Sequence, residues 1–164
     1  QLALSRYLST QSEFFWLLAS PPMILNLALA NLLILLFAEF ALPGLGVKAN
    51  QALVWLAALL LIAPLTYGAA IGTWDSDYRP NLLVYMLITA MLTPWYWRRR
   101  RDVLILALLV FSAITVATSM LASVLENADE FVALNLLALF VIGSSAGALI
   151  WLKKLLQGPA ETIA

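Results

Sequence analysis

The residues able to do chemistry are few in this chain, and their types narrow what that chemistry is. Of 164 residues 11% are charged, and there is neither histidine nor cysteine. The usual haem ligands, thiolate metal sites, disulfides and Cys–His or Ser–His catalysis are therefore absent. Carboxylates, hydroxyls, amides, Arg and Lys remain. Asp75 and Asp77 lie two apart, but a hard cation wants about six oxygens or several waters, so a solvated loop accounts for them. Glu39 is the one carboxylate plausibly near a membrane interior, with Asn26 and Asn31 deeper in the same apolar run. An acid inside a bilayer is expensive and is a functional candidate by default. Near a helix end the cost falls, and Glu39 is expected to reach the interface beside Lys48 or the arginines.

The stretch TPWYWRRRRD, residues 93–102, sets three aromatic rings before Arg98, Arg99, Arg100 and Arg101. Nucleic-acid readout needs a soluble module around such a run, and none is present, so no nucleic-acid partner is expected. Near an anionic leaflet each basic residue contributes about 1 kcal/mol, or about 4 kcal/mol for four. The run thus suits a topology anchor that also contacts lipid or a partner protein. Asp102 follows, where a carboxylate favours a helix N-terminus.

These residues are positioned by long apolar elements. The chain is 63% hydrophobic with a mean hydropathy of +0.94, more than a soluble domain of this size hides. It reads as one all-α polytopic integral membrane bundle. At about 20 residues per crossing, charges and prolines mark five spans, about 21–42, 50–74, 80–97, 103–125 and 131–152. Residues 1–20 form an interfacial segment and 153–164 a tail. Ser20 followed by Pro21 and Pro22 suits a helix start. Pro64 is expected to kink the second span and Pro94 to end the third. Rings Trp95 to Trp97 suit headgroup depth.

With five spans, seven basic residues (Lys48, Arg98–Arg101, Lys153, Lys154) and three acidic ones fall on one side, against two basic and six acidic on the other. Positive charge is retained in the cytoplasm. The N-terminus is therefore expected outside and the C-terminus in the cytoplasm.

Small residues recur at helical spacing. Gly68 and Gly72 form one GxxxG pair, and Gly143 and Gly147 another. Ser119 and Ser123 belong to a stripe with Ser112 and Thr115. Such stripes let backbones approach closely and hydroxyls bond across helices. Spans four and five, joined by the short ENADE connection, are expected to pack along this seam. A polar substrate path is the competing reading, but nothing ionisable lies in the stripe.

The segment RRRRDVLILALLVFSAITVATSMLASVL, 98–125, resembles part of the membrane domain that precedes bacterial transglutaminase-like enzymes. There a basic elbow ending in Arg-Asp opens a hydrophobic helix with a late polar patch. The likeness covers residues 80–153. It implies a multi-pass protein of the bacterial inner membrane. Pro94 to Trp97 stand where the family usually shows Lys-Leu-Leu-Glu, and the catalytic Cys-His-Asp domain is not in these residues, so no catalytic residue carries over.

The expected function is a non-catalytic membrane subunit or assembly factor, not an enzyme, meeting partner helices or its own copies through the small-residue seams. A small oligomeric transporter using Glu39, Asn26 and Asn31 is the alternative. The membrane anchor or sensor of a transglutaminase-like enzyme is a third reading. Cofactors stay open: a pigment metal would need water, an amide or a carboxylate as ligand.

Overall fold

A computed structural model describes residues 20–42, 46, 50–100 and 102–157. Lys48, the tail from 158 and the interfacial segment before Ser20 lie outside the described residues. Every regular element among them is helical. Helix α1 spans Pro21–Leu36 and continues in a π-helical turn, Phe37–Ala41. It starts after Ser20, which is extended, and Pro21 and Pro22 occupy the first turn, where a missing N–H removes no helical bond. Helix α2 spans Gln51–Ile71 and stays helical through Pro64. Its first turn is capped by the Asn50 side chain, which accepts the Ala52 N–H at 3.0 Å. A short 3₁₀ turn, Ser76–Tyr78, leads into α3, Arg79–Trp95, which widens into a second π-helical turn, Tyr96–Arg100. Helices α4, Val103–Val124, and α5, Glu130–Gln157, complete the chain.

Four of these helices are long and apolar enough to cross a membrane: Pro21–Ala41, Gln51–Ile71, Val103–Val124 and Glu130–Gln157. Helix α3, where the third span was expected over 80–97, is not among them. Its 17 residues rise about 25 Å at 1.5 Å each, short of a ~30 Å hydrocarbon core. Nor does Pro94 end it. The helix passes through Pro94 to Trp95 and then changes pitch; Pro94 has no N–H to give to the carbonyl one turn back. Helix α5 runs past the predicted end at 152 to Gln157, with Lys154 in its last turn, where a cation favours the helix dipole.

The core gathers around α2, which buries Ala57, Ala58, Leu61, Leu65 and Ala69. Leu35 and Ala38 of α1, Tyr85 and Ile88 of α3, and Ile105, Leu106 and Leu109 of α4 join it. Small side chains on α2 allow three neighbours to close in. Contacts between named residues fix the directions. Trp55 meets Asp102, Thr66 meets Ser112, and Thr73 meets Ser119. A nearly constant offset means that α2 and α4 run parallel. Helix α3 begins beside Gly68, late in α2, and ends beside Glu39, late in α1. It therefore runs the full length of the bundle, antiparallel to α2.

The two GxxxG pairs have opposite surroundings. A Cβ on Gly68 would lie 2.8 Å from Asn81 Nδ2 and 3.0 Å from Ile24 Cγ2, and one on Gly72 would lie 2.6 Å from the Tyr78 carbonyl oxygen. At Gly143 and Gly147 a Cβ would meet nothing within 4 Å. The predicted α4–α5 seam is thus corrected. Helix α5 packs on α4 through Ala148 and Leu152, its only buried residues, and neither glycine is closed over by that contact.

Gly68→Ala and Gly72→Ala should therefore each lower the unfolding temperature in mild detergent, with overpacking costing about 1–3 kcal/mol. Gly143→Ala and Gly147→Ala should leave it unchanged or raise it, because Ala favours a helix interior by about 0.5–1 kcal/mol. Equal effects at all four positions would contradict this packing.

Candidate functional site

One end of the bundle is gathered by residues 93–102. The Trp95 ring lies 5.0 Å from that of Phe40, tilted by 43°. Tyr96 donates its hydroxyl to Glu39 Oε1 at 3.4 Å. Trp97 meets Trp151 of α5 edge-on at 5.3 Å, a favoured aromatic geometry. Asp102 caps α4, accepting the Leu104 and Ile105 amides on Oδ1 at 3.1 and 3.3 Å. Its Oδ2 accepts from Trp55 Nε1 at 2.9 Å. A single carboxylate thus closes the start of α4 and ties it to the start of α2.

Tyr96 packs inside the bundle at 1% exposure. Glu39 lies at the end that bears the arginines, with its side chain buried at 8% exposure. The π-helical turn accounts for this burial, since it faces both Ala38 and Glu39 inward. Burying a polar side chain is costly unless it is hydrogen-bonded, and Tyr96 supplies a bond. Arg98 is exposed, while Arg101 and the side chains of Arg99 and Arg100 lie outside the described residues.

The polar residues of α1 do not converge. Asn26 is exposed. Asn31 is buried but returns its amide to Leu27 O of its own helix at 2.8 Å. Glu39 sits at the far end of the same helix.

In the hydroxyl stripe of α4, Ser112 and Ser119 face α2, while Thr115 is exposed and returns to Phe111 O at 3.0 Å. Ser112 Oγ donates to Tyr85 Oη at 2.9 Å and lies 2.5 Å from Thr66 Oγ1. Thr66 in turn donates to Ile62 O at 2.6 Å. Three helices, α2, α3 and α4, meet at this buried serine. One end further along, Ser119 Oγ donates to Ala70 O at 2.8 Å, accepts from Trp74 Nε1 at 3.0 Å and lies 2.8 Å from Thr73 Oγ1. Ser123 turns back to Met120 O at 2.8 Å. It lines a cleft of about 360 Å³ with Gly72, Thr73 and Arg79. In the turn before Arg79 the Tyr78 hydroxyl is pushed above its ordinary range, first by desolvation and then by Tyr67, Asp75 and Asp77.

Asn81 escaped the sequence reading. It is 0% exposed, and neither amide atom has a hydrogen-bond partner. It presses on Gly68. An Asn just after Arg79-Pro80 reads as a solvated helix start. The one pointer was the glycine that makes room for it, and that glycine lies on another helix.

The geometry is one of positioning. The hydroxyls bind carbonyls and one another, and the chain has no imidazole or thiolate to activate them. Among the described residues no three acidic side chains gather where they could hold a metal ion. Comparison with family models, with curated proteins and with solved structures finds no match.

A double-mutant cycle on Tyr85→Phe and Ser112→Ala should give a coupling of about 0.6 kcal/mol and no more than about 1.7, the range for hydrogen bonds within bilayers. Asp102→Ala should cost about 1–2 kcal/mol as a lost cap, and more than Trp55→Phe, which leaves the cap intact. Unfolding in detergent with a graded denaturant measures both. A null coupling, or the reverse order for Asp102 and Trp55, would contradict the contacts.

Proposed function

We propose that this chain is a non-catalytic integral membrane subunit that crosses the bilayer five times and presents α5 to partner helices. One observation carries the reading. A 28-residue helix buries only Ala148 and Leu152 against its own chain, and its glycine pair, with Ala146 beside it, is open. Lipid alone does not call for small residues on a helix face. Close backbone approach by another helix does.

The five-crossing topology draws support from the end-to-end course of α3. Its first residues lie with the start of α1 and the end of α2, and its last with the end of α1 and the start of α4. With the π-helical turn it continues to Arg100. Under the positive-inside tendency, the end bearing Arg98, Lys153 and Lys154 is cytoplasmic. The N-terminal end of α1 is then outside. The scattering of Asn26, Asn31 and Glu39 favours a scaffold over a conduit built on those residues.

Purification of the full chain from its native membrane in mild detergent tests the reading. A stoichiometric partner, or a homo-oligomer, should accompany the wild type and be lost from Gly143→Leu and Ala146→Leu, with the unfolding temperature unchanged. A monomer without companions, or variants that keep theirs, would overturn it.

A further inference from the structure

On the other flank of α5 lies a groove of about 520 Å³. Its floor is Val110, Ala113, Ile114 and Ala117 of α4, and Thr93 and Trp151 stand at one end. We infer that this groove holds one acyl chain of an anionic lipid, whose headgroup is bound by Arg98 and Lys154.

Length, shape and charge point the same way. From Phe140 to Trp151 the α5 wall rises eleven steps, or about 16 Å at 1.5 Å per residue. Half of a ~30 Å hydrocarbon core is ~15 Å. The groove therefore matches one leaflet. Its shape suits a thin occupant: a helix is about 10–12 Å across, far wider than a single acyl chain. A slender chain fits along its length. Small residues keep the groove open: Ala113 and Ala117 on its floor and Gly147 on its α5 wall.

The charge lies at the correct end. The Trp97–Trp151 contact at 5.3 Å brings the end of α3 to the last turns of α5. Arg98 follows Trp97 and is exposed. Lys154 lies three residues beyond Trp151, on the same side of the helix, and is also exposed. Two cations thus flank the mouth beyond a pair of rings suited to headgroup depth. An anionic phosphate with its chain below them complements both halves. The inference requires only that the chain lie in a bilayer. It does not depend on partners at the outer face of α5.

The full chain in nanodiscs of phosphatidylcholine, titrated with phosphatidylglycerol brominated on its acyl chains, provides the test. Tryptophan quenching should saturate at a low mole fraction of the anionic lipid, and Trp151→Phe should remove the saturable part. At about 1 kcal/mol per basic residue, Arg98→Gln and Lys154→Gln should each weaken the apparent affinity about fivefold. Ala113→Leu with Ala117→Leu should abolish saturation while both charges remain. Equal quenching by brominated phosphatidylcholine would overturn the proposal. So would saturation that survives the filled floor, or a groove shielded by a co-purifying protein.

Discussion

Two parallel helices, α2 and α4, meet through hydroxyls and small side chains, and the other helices take their places from that contact. In lipid there is no hydrophobic drive to bring helices together, so close packing and interhelical hydrogen bonds must do it. Trp55 with Asp102, Thr66 with Ser112, and Thr73 with Ser119 repeat at nearly one offset along the seam. Parallel neighbours cannot be consecutive in an alternating bundle, so α3 must return between them in sequence. It does so on a third side, where Tyr85 joins the same buried serine. Helix α1 then closes on α2, and α5 is left outside.

The two ends of the bundle are held differently. At one end the contacts are aromatic and charge-assisted, with Asp102 and Glu39 each fixed by a ring donor. At the other they are steric, with Gly68 under Asn81 and Gly72 under the Tyr78 carbonyl. The first kind specifies which helix ends meet. The second specifies how near they come. Asn81 is the exception to the rule that buried amides are bonded, and its position against Gly68 shows that space, not hydrogen bonding, was satisfied there.

Much of this architecture was legible in the sequence where local rules decide it. Ser20-Pro21-Pro22 marked the start of α1, and Asp102 the start of α4. Gly68 and Gly72 marked a close approach. What could not be read was the identity of neighbours. The pairs at 68–72 and 143–147 have the same spacing, yet one is crowded and the other open, because spacing reports a smooth backbone and not what lies against it. The stripe from Ser112 to Ser119 was visible, but its partner was assigned to the helix next in sequence. The inward facing of Glu39 was not legible either, because it follows from a π-helical turn that departs from the regular 3.6-residue count.

The threonines of the helices, Thr66 of the seam among them, have a consequence for how such a bundle is made. Thr66, Thr89, Thr93, Thr115 and Thr118 each donate to a carbonyl one turn earlier in their own helix. A helix so furnished has no orphaned donor on those side chains before it meets a neighbour. Thr66 keeps that bond to Ile62 O while it meets Ser112, so this contact fixes an alignment without breaking anything inside α2.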